Sequence, residues 1–182
     1  MSDLPPGSIP MTMSARHHRF EALVGALLPD LYRYAYWLCR NRALAEDVVQ
    51  ETLLRAWRSL ESLRDEKAAK GWLITILRRE HARSFERFQP ELVDVDAVVL
   101  PAEPGDAGER AVDAAVLRRA MARLEPEFRE PLVLQVLMGF SVEEIAGVME
   151  INPATVLTRL FRARKKLSVA LDRPLQSLEA EA

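Results

Sequence analysis

A chain of 182 residues is long enough for one large domain or for two small helical ones. With 49% apolar and 29% charged residues it can build a packed core, which excludes a wholly disordered or collagen-like chain. A net charge of −2 excludes a nucleic-acid role resting on overall basicity, so any such role must come from local segregation of charge.

Residues 1–14 carry three prolines, one glycine and no periodicity, and are expected to form a tail, with Met11 and Met13 as alternative starts. A first domain is placed at 15–88. From about Phe20 to Phe88 apolar residues recur at helical spacing and Pro29 is the only proline, which describes several packed helices. Its single cysteine, Cys39, rules out an internal disulfide and fits a reducing compartment, the cytoplasm by default. On a helical wheel of Ala43 to Arg58, the residues Ala45, Val48, Val49, Thr52 and Ala56 define a buried face. Asp47, Gln50, Glu51 and Arg58 face outward with Leu54 among them, and Leu53 and Trp57 lie at the edges. That mixture fits either a protein-binding patch with an apolar anchor or an ordinary amphipathic helix with one stray leucine.

A helix from about Lys67 to Phe88 should bury Leu73, Ile74, Ile76, Leu77, Phe85 and Phe88. Trp72, Arg79 and Arg83 line up on the other side, flanked by Arg78 and Arg87. A ring between guanidinium groups can stack on an unpaired base while holding its backbone, although Trp72 fits a core position equally well.

Residues 89–109 change character. Prolines and glycines stand among Glu91, Asp94, Asp96, Glu103 and Asp106, so an acidic linker is expected, with the run Val98-Val99-Leu100 extended rather than a strand. Helical periodicity returns from about Arg110 to Leu171, interrupted by Pro126, Pro131 and Pro153. A second domain is therefore placed at 110–174, followed by a tail at 175–182.

Within it, Ser141-Val-Glu-Glu144 reads as a capping box that opens one helix. Asn152-Pro153 opens another, since asparagine caps well and proline tolerates the first helical position. Two short helices joined by about three residues, with small Ala146 at the crossing, predict a helix-turn-helix. Val156, Leu160, Ala163 and Leu167 form the buried stripe of the second helix, and Thr158, Phe161, Arg162 and Lys165 lie opposite. Arg159, Arg162, Arg164, Lys165 and Lys166 place five positive charges within eight residues, which suits phosphate contact and guanine readout as well as a solvated basic face. Cap, turn and stripe together favour DNA binding.

These residues carry a resemblance. Ala45-Glu-Asp-Val-Val-Gln-Glu-Thr52 with Arg55-Ala-Trp57, then Gly71-Trp-Leu73, then Leu124 through Leu167 with Thr155-Val156, Arg159-Leu160 and Arg162-Ala163, make the chain similar to the extracytoplasmic-function (ECF) sigma factors of bacterial RNA polymerase. The match covers about Phe20 to Leu171. It implies an all-α fold of two small helical domains joined by the acidic linker. It implies that Asp47, Gln50, Glu51, Leu53, Leu54 and Trp57 dock on the clamp helices of the polymerase beta-prime subunit, with the beta subunit as a further contact. It implies that Trp72, Arg78, Arg79 and Arg83, with the loop at about Ser59 to Glu66, open promoter DNA near the start site. Thr155, Leu157, Thr158, Phe161, Arg162 and Lys165 would read the minus-thirty-five element, and the linker would thread the polymerase's RNA path. Control by an anti-sigma factor follows by the same analogy.

Three departures stand out. Glu150 occupies a turn position where the family often has glycine, and a left-handed backbone there costs a residue with a Cβ about 1 kcal/mol, so the turn is expected to differ locally. Leu157 replaces a frequent polar or basic residue, so its contact is expected to be apolar, as to a thymine methyl group. Glu80-His81 stands where asparagine or arginine is common.

Other classes fit less well. Three histidines, two of them adjacent, and one cysteine give no metal-ligand or nucleophile–base spacing, so no enzyme, catalytic residue, metal or cofactor is expected. His17-His18 with Cys39 reads as scattered surface residues rather than a metal site. No apolar run approaches the roughly 18 to 20 residues that span a bilayer, and the N-terminus lacks the blocks of a signal peptide, so a cytoplasmic protein without membrane insertion is expected. A sigma-like mimic that sequesters an anti-sigma factor would keep the fold and lose the DNA-reading residues, which this chain retains. A one-component repressor would need a dimerisation element or a ligand pocket, and the sequence offers no candidate for either.

Overall fold

The computed structural model describes residues 12–87 and 109–179, with side chains described for 12–84 and 114–171. Among the described residues the structure is helical, with no strand. Three helices make the first domain: α1 (Met13–Cys39), α2 (Arg42–Arg58) and α3 (Ala69–Arg87). Two 3-10 turns, Leu60–Ser62 and Glu66–Ala68, join α2 to α3. Four make the second: α4 (Glu109–Ala122), α5 (Pro126–Val136), α6 (Val142–Met149) and α7 (Pro153–Glu179).

Local chemistry sets the boundaries. The Thr12 side chain accepts from the Ala15 backbone N–H at 3.3 Å, so α1 starts at Met13, two residues inside the expected tail. Arg40 ends α1 in the left-handed region at φ 53°, and Asn41 at once caps α2, its side chain accepting from Leu44 N–H at 3.0 Å. At the other end α7 runs through to Glu179, so the backbone of 175–179 is helical where a tail is expected. Pro153 sits at the first position of a helix, as expected, and so does Pro126, where only an interruption was expected, but Pro131 lies inside α5. A proline there removes one intrahelical hydrogen bond. Burial of Phe128, Pro131, Leu132, Val133 and Leu134 around it offsets the loss and keeps the helix continuous. The run Val98-Val99-Leu100 lies outside the described residues.

The first core is built from Leu31, Tyr34, Ala35 and Trp37 of α1, Ala45, Val48, Val49 and Ala56 of α2, and Leu73, Ile74, Ile76 and Leu77 of α3. The whole expected buried face of α2 is inside, including Thr52, whose hydroxyl is satisfied by donating to Val48 O at 2.7 Å. The second core gathers Met121, Leu124, Phe128, Leu134, Ile145, Val148, Val156, Leu160 and Ala163. Phe85, expected in the first core, has no described side chain, and Phe88 lies outside the described residues.

The two cores are continuous. α1 packs on α5 and α3 on α6, so the second domain rests against one side of the first. Ion pairs and one aromatic contact cross the seam, and they decide which surfaces remain open.

Candidate functional site

The helix-turn-helix forms as its caps dictate. Ser141 Oγ accepts from Glu144 N–H at 3.2 Å, and Glu144 Oε2 accepts from Ser141 N–H at 2.8 Å, closing the capping box. Asn152 Oδ1 accepts from the Thr155 N–H at 2.8 Å and the Thr155 hydroxyl at 3.0 Å, fixing the start of α7. Between them Glu150 adopts φ 56°, ψ 41°, the left-handed turn. The expectation of a locally different turn is thus corrected: the chain accepts the strain and keeps the geometry. The buried cluster of Ile145, Ala146, Val156 and Leu160 holds the two helices at that angle, and Arg79 Nη2 bonds the Glu150 carboxylate at 2.5 Å across the domain seam. That bond holds the Glu150 carboxyl below the usual carboxylate range.

On α7, Val156, Leu160, Ala163 and Leu167 are buried, and the opposite face is open. Leu157 is 56% and Phe161 68% exposed, and Thr158, Arg162 and Lys165 are exposed beside them. This face therefore sets two large apolar groups in water beside a hydroxyl and two cations. Thr155 is half-buried and spent on its cap. Two members of the basic cluster serve the domain itself: Arg164 bonds Gln135, and Lys166 pairs with Glu125 at 2.6 Å while lying over the Phe128 ring.

The outward face of α2 also stays open. Asp47, Gln50 and Glu51 are exposed and Leu54 is 52% exposed, while Leu53 is half-buried against the core. Trp57 is less free than a wheel suggests. Arg16 of α1 lies over its ring at 4.8 Å, Phe20 meets it edge-on at 5.2 Å, and Arg16 Nη2 donates to its carbonyl at 2.6 Å. The tryptophan thus anchors the first turns of α1 to the end of α2, and only part of its surface faces outward.

The stripe on α3 differs most from an open platform. Trp72 is half-buried, packs against the core, and shares a groove with Phe140 and Val148 of the second domain. Arg78 Nε donates to Glu130 Oε1 of α5 at 2.7 Å, and Arg79 is held by Glu150. Arg83 pairs within α3 with Glu80 at 2.6 Å, and Arg55 of α2 holds the same buried carboxylate at 2.7 Å. Glu80 therefore locks α2 to α3. Of the four residues assigned to promoter opening, three lie on or across the seam.

Sequence reasoning missed the seam's centre. The Tyr34 hydroxyl, fully buried, donates to Glu130 Oε1 at 2.8 Å, and burial followed by that carboxylate pushes the phenol well above its usual range. Lys70 lies 5.7 Å from the centre of the Phe140 ring, and Gly71 offers Phe140 a face without a side chain. No periodicity links positions 96 apart, as Tyr34 and Glu130 are. The Gly71-Trp-Leu73 motif was the one available signal, because a glycine in a helix marks a close approach.

His17 and His18 face Glu21, about 33 Å along α1 from Cys39 at 1.5 Å per residue, so these three cannot share a metal. Among the described residues no group of three or more His, Cys, Asp or Glu is placed to hold one. Among the described residues no helix is long and apolar enough to cross a membrane.

Known proteins share this arrangement. Residues 23–90 match the Sigma-70 region 2 family and residues 114–167 the Sigma-70 region 4 family. The ECF RNA polymerase sigma factor EcfG of Rhodopseudomonas palustris is 34% identical over 149 residues, 80% of this chain and 81% of that protein. SigL of Mycobacterium tuberculosis is 35% identical over 158 residues, 82% and 89%. Among solved structures, the sigma factor RpoE of Bartonella quintana, in complex with the anti-sigma factor NepR, superposes with a TM-score of 0.69 at 30% identity, covering 85% of this chain and 97% of that one. CnrH in complex with the cytosolic domain of CnrY gives 0.63 at 26%, covering 88% and 92%. With both sigma regions in order on two helical domains, and with relatives of this identity matched over most of their length, the chain belongs to the ECF sigma factors of RNA polymerase, which are not known as an enzyme class.

Proposed function

We propose that this sigma factor docks on core RNA polymerase through the open face of α2 and reads the upstream promoter element through α7, working in the cytoplasm under an anti-sigma factor. The observation that carries the division of labour is the pair of open surfaces. The α2 face joins Asp47, Gln50 and Glu51 to exposed Leu54, a charged surface with an apolar anchor. The α7 face joins Leu157 and Phe161 to Arg162 and Lys165, apolar groups for thymine methyls beside cations for phosphate and guanine.

The packed arrangement supports a resting state. Arg78 and Arg79 are bonded to Glu130 and Glu150, and Trp72 is half-buried at the seam, so strand opening requires the domains to separate. Polymerase binding at α2 would supply the free energy for that separation, and a protein clamping both domains would oppose it.

The test is run-off transcription with purified core polymerase and a genomic promoter library. Discrete start sites sharing two spaced motifs are expected only when the protein is present. Arg162→Ala should weaken those starts and leave core binding intact, whereas Asp47→Ala with Gln50→Ala should weaken core binding and, through it, the starts. Loss of core binding in the folded Arg162→Ala variant, or full core binding in the folded double variant, refutes the division, and core binding without any start site favours the sequestering mimic.

A further inference from the structure

A cavity of about 450 Å³ lies in the seam between the domains. Its walls come from the end of α1, the middle of α3, the end of α4 and the start of α5. Most of the lining is apolar, with Trp37, Leu38, Ala122 and Leu124 among the contributors. Four arginines also line it, Arg40, Arg78, Arg123 and Arg129, against a single carboxylate, Glu130. That carboxylate is already committed to Arg78 and Tyr34.

Among the described residues neither Arg40 nor Arg129 has an ion pair of its own, and the one carboxylate whose field reaches Arg129, Glu130, is shared with Arg78. Arg129 is 7% exposed, and its bonds go to neutral backbone carbonyls, Ala122 O at 3.3 Å and Leu124 O at 3.4 Å. Arg40 has Nε and Nη2 buried with no hydrogen-bond partner. Burial, and then the like charge of Arg40, push Arg129 down to about 10. A buried cation without a partner is costly, and two side by side cost more, so a chain that keeps both gains most when something negative sits between them. Mostly apolar walls with a few convergent polar groups, at a domain interface and at this volume, are the marks of a small-molecule site.

We propose that this cavity binds a small anion with an apolar body, its charged group seated between Arg40 and Arg129 and its body against Trp37, Leu38 and Leu124. Because the walls belong to both domains, an occupant stabilises the packed arrangement over the separated one. On the function proposed above, it would hold the factor at rest.

Calorimetric titration of the full chain with phenyl phosphate tests the site without polymerase or DNA, so its failure is distinct from failure of the sigma reading. Phenyl phosphate should bind at least about tenfold more tightly than inorganic phosphate, which lacks the apolar body, and should raise the thermal midpoint. Arg40→Gln should weaken binding by about tenfold or more, the loss of one charge-assisted contact, while raising the unliganded midpoint by relieving the repulsion. Arg64→Gln, at an exposed arginine away from the seam, should leave phenyl phosphate binding and the thermal midpoint as they are. No binding at 10 mM phenyl phosphate, or equal binding by the Arg40→Gln variant, overturns the proposal. Binding that appears only after Glu91, Asp94, Asp96, Glu103 and Asp106 are neutralised overturns it too, because the linker's own carboxylates then exclude a free anion.

Discussion

Replacing Glu130 by alanine should loosen the seam more than any other single polar substitution there. Its Oε1 accepts both the Tyr34 hydroxyl at 2.8 Å and Arg78 Nε at 2.7 Å. Tyr34 is fully buried, so Glu130→Ala leaves its hydroxyl without an acceptor, at about 1–3 kcal/mol. The Arg78 side chain is 32% exposed and regains some water, so the lost ion pair contributes about 1 kcal/mol at most. Water entering the adjoining cavity can reach the hydroxyl, which pulls the total to the lower half of the range, about 1–2.5 kcal/mol. Glu130→Gln keeps an oxygen acceptor and should cost about 1 kcal/mol or less. Urea unfolding followed by circular dichroism reads both values. In a double-mutant cycle, Tyr34→Phe with Glu130→Ala should show a coupling of about 1 kcal/mol, because the phenylalanine leaves no orphaned hydroxyl. If Glu130→Ala lies within about 0.5 kcal/mol of the parent, or matches Glu130→Gln, the seam is not held by this bond and the argument fails.

Three further outcomes are expected. Glu150→Gly relieves a left-handed residue worth about 1 kcal/mol and adds about 0.5–1 kcal/mol of freedom to the unfolded chain, so the thermal midpoint should stay within about 2 °C of the parent; a fall of 5 °C would mean that the exposed bond to Arg79 matters far more than its exposure suggests. Burial lowers the His81 pKa below 6.5, so the folded chain binds this proton less readily than the unfolded one. Its contribution is therefore full above pH 6.5 and is lost as pH falls below that value towards the folded pKa, and His81→Gln should flatten the urea midpoint between about pH 7 and pH 5. Burial pushes the Cys39 thiol up to about 12, so at pH 8 its alkylation by iodoacetamide should run about a thousandfold slower than that of a cysteine-containing peptide; comparable rates would show that the seam opens readily.

The helices, caps and buried faces were legible in the sequence because each is a local matter. Ser141 and Glu144 stand at the separation a capping box needs, and Val156, Leu160, Ala163 and Leu167 at the separation a helix needs. The open faces of α2 and α7 followed from the same periodicity, which says what is left once a stripe is buried. Pro131 was misread for a complementary reason: a breaker's cost is local, but the burial that offsets it comes from neighbours distant in sequence.

The seam is different in kind. A wheel lines up Trp72, Arg79 and Arg83 on the side of α3 opposite its buried stripe, with Arg78 flanking them. Only the packing of α5 and α6 against α1 and α3 covers that side and supplies Glu130, Glu150 and Phe140 as partners. The same packing brings Arg40 to Arg129 around a cavity that neither domain has alone. Sequence by itself determined the two domains, their helices and the faces each helix leaves open, since propensity, capping and amphipathic period act over a few residues. The tertiary structure alone decided which of those faces stay open, because contacts between positions far apart in the chain depend on how finished domains fit together, which no local pattern encodes.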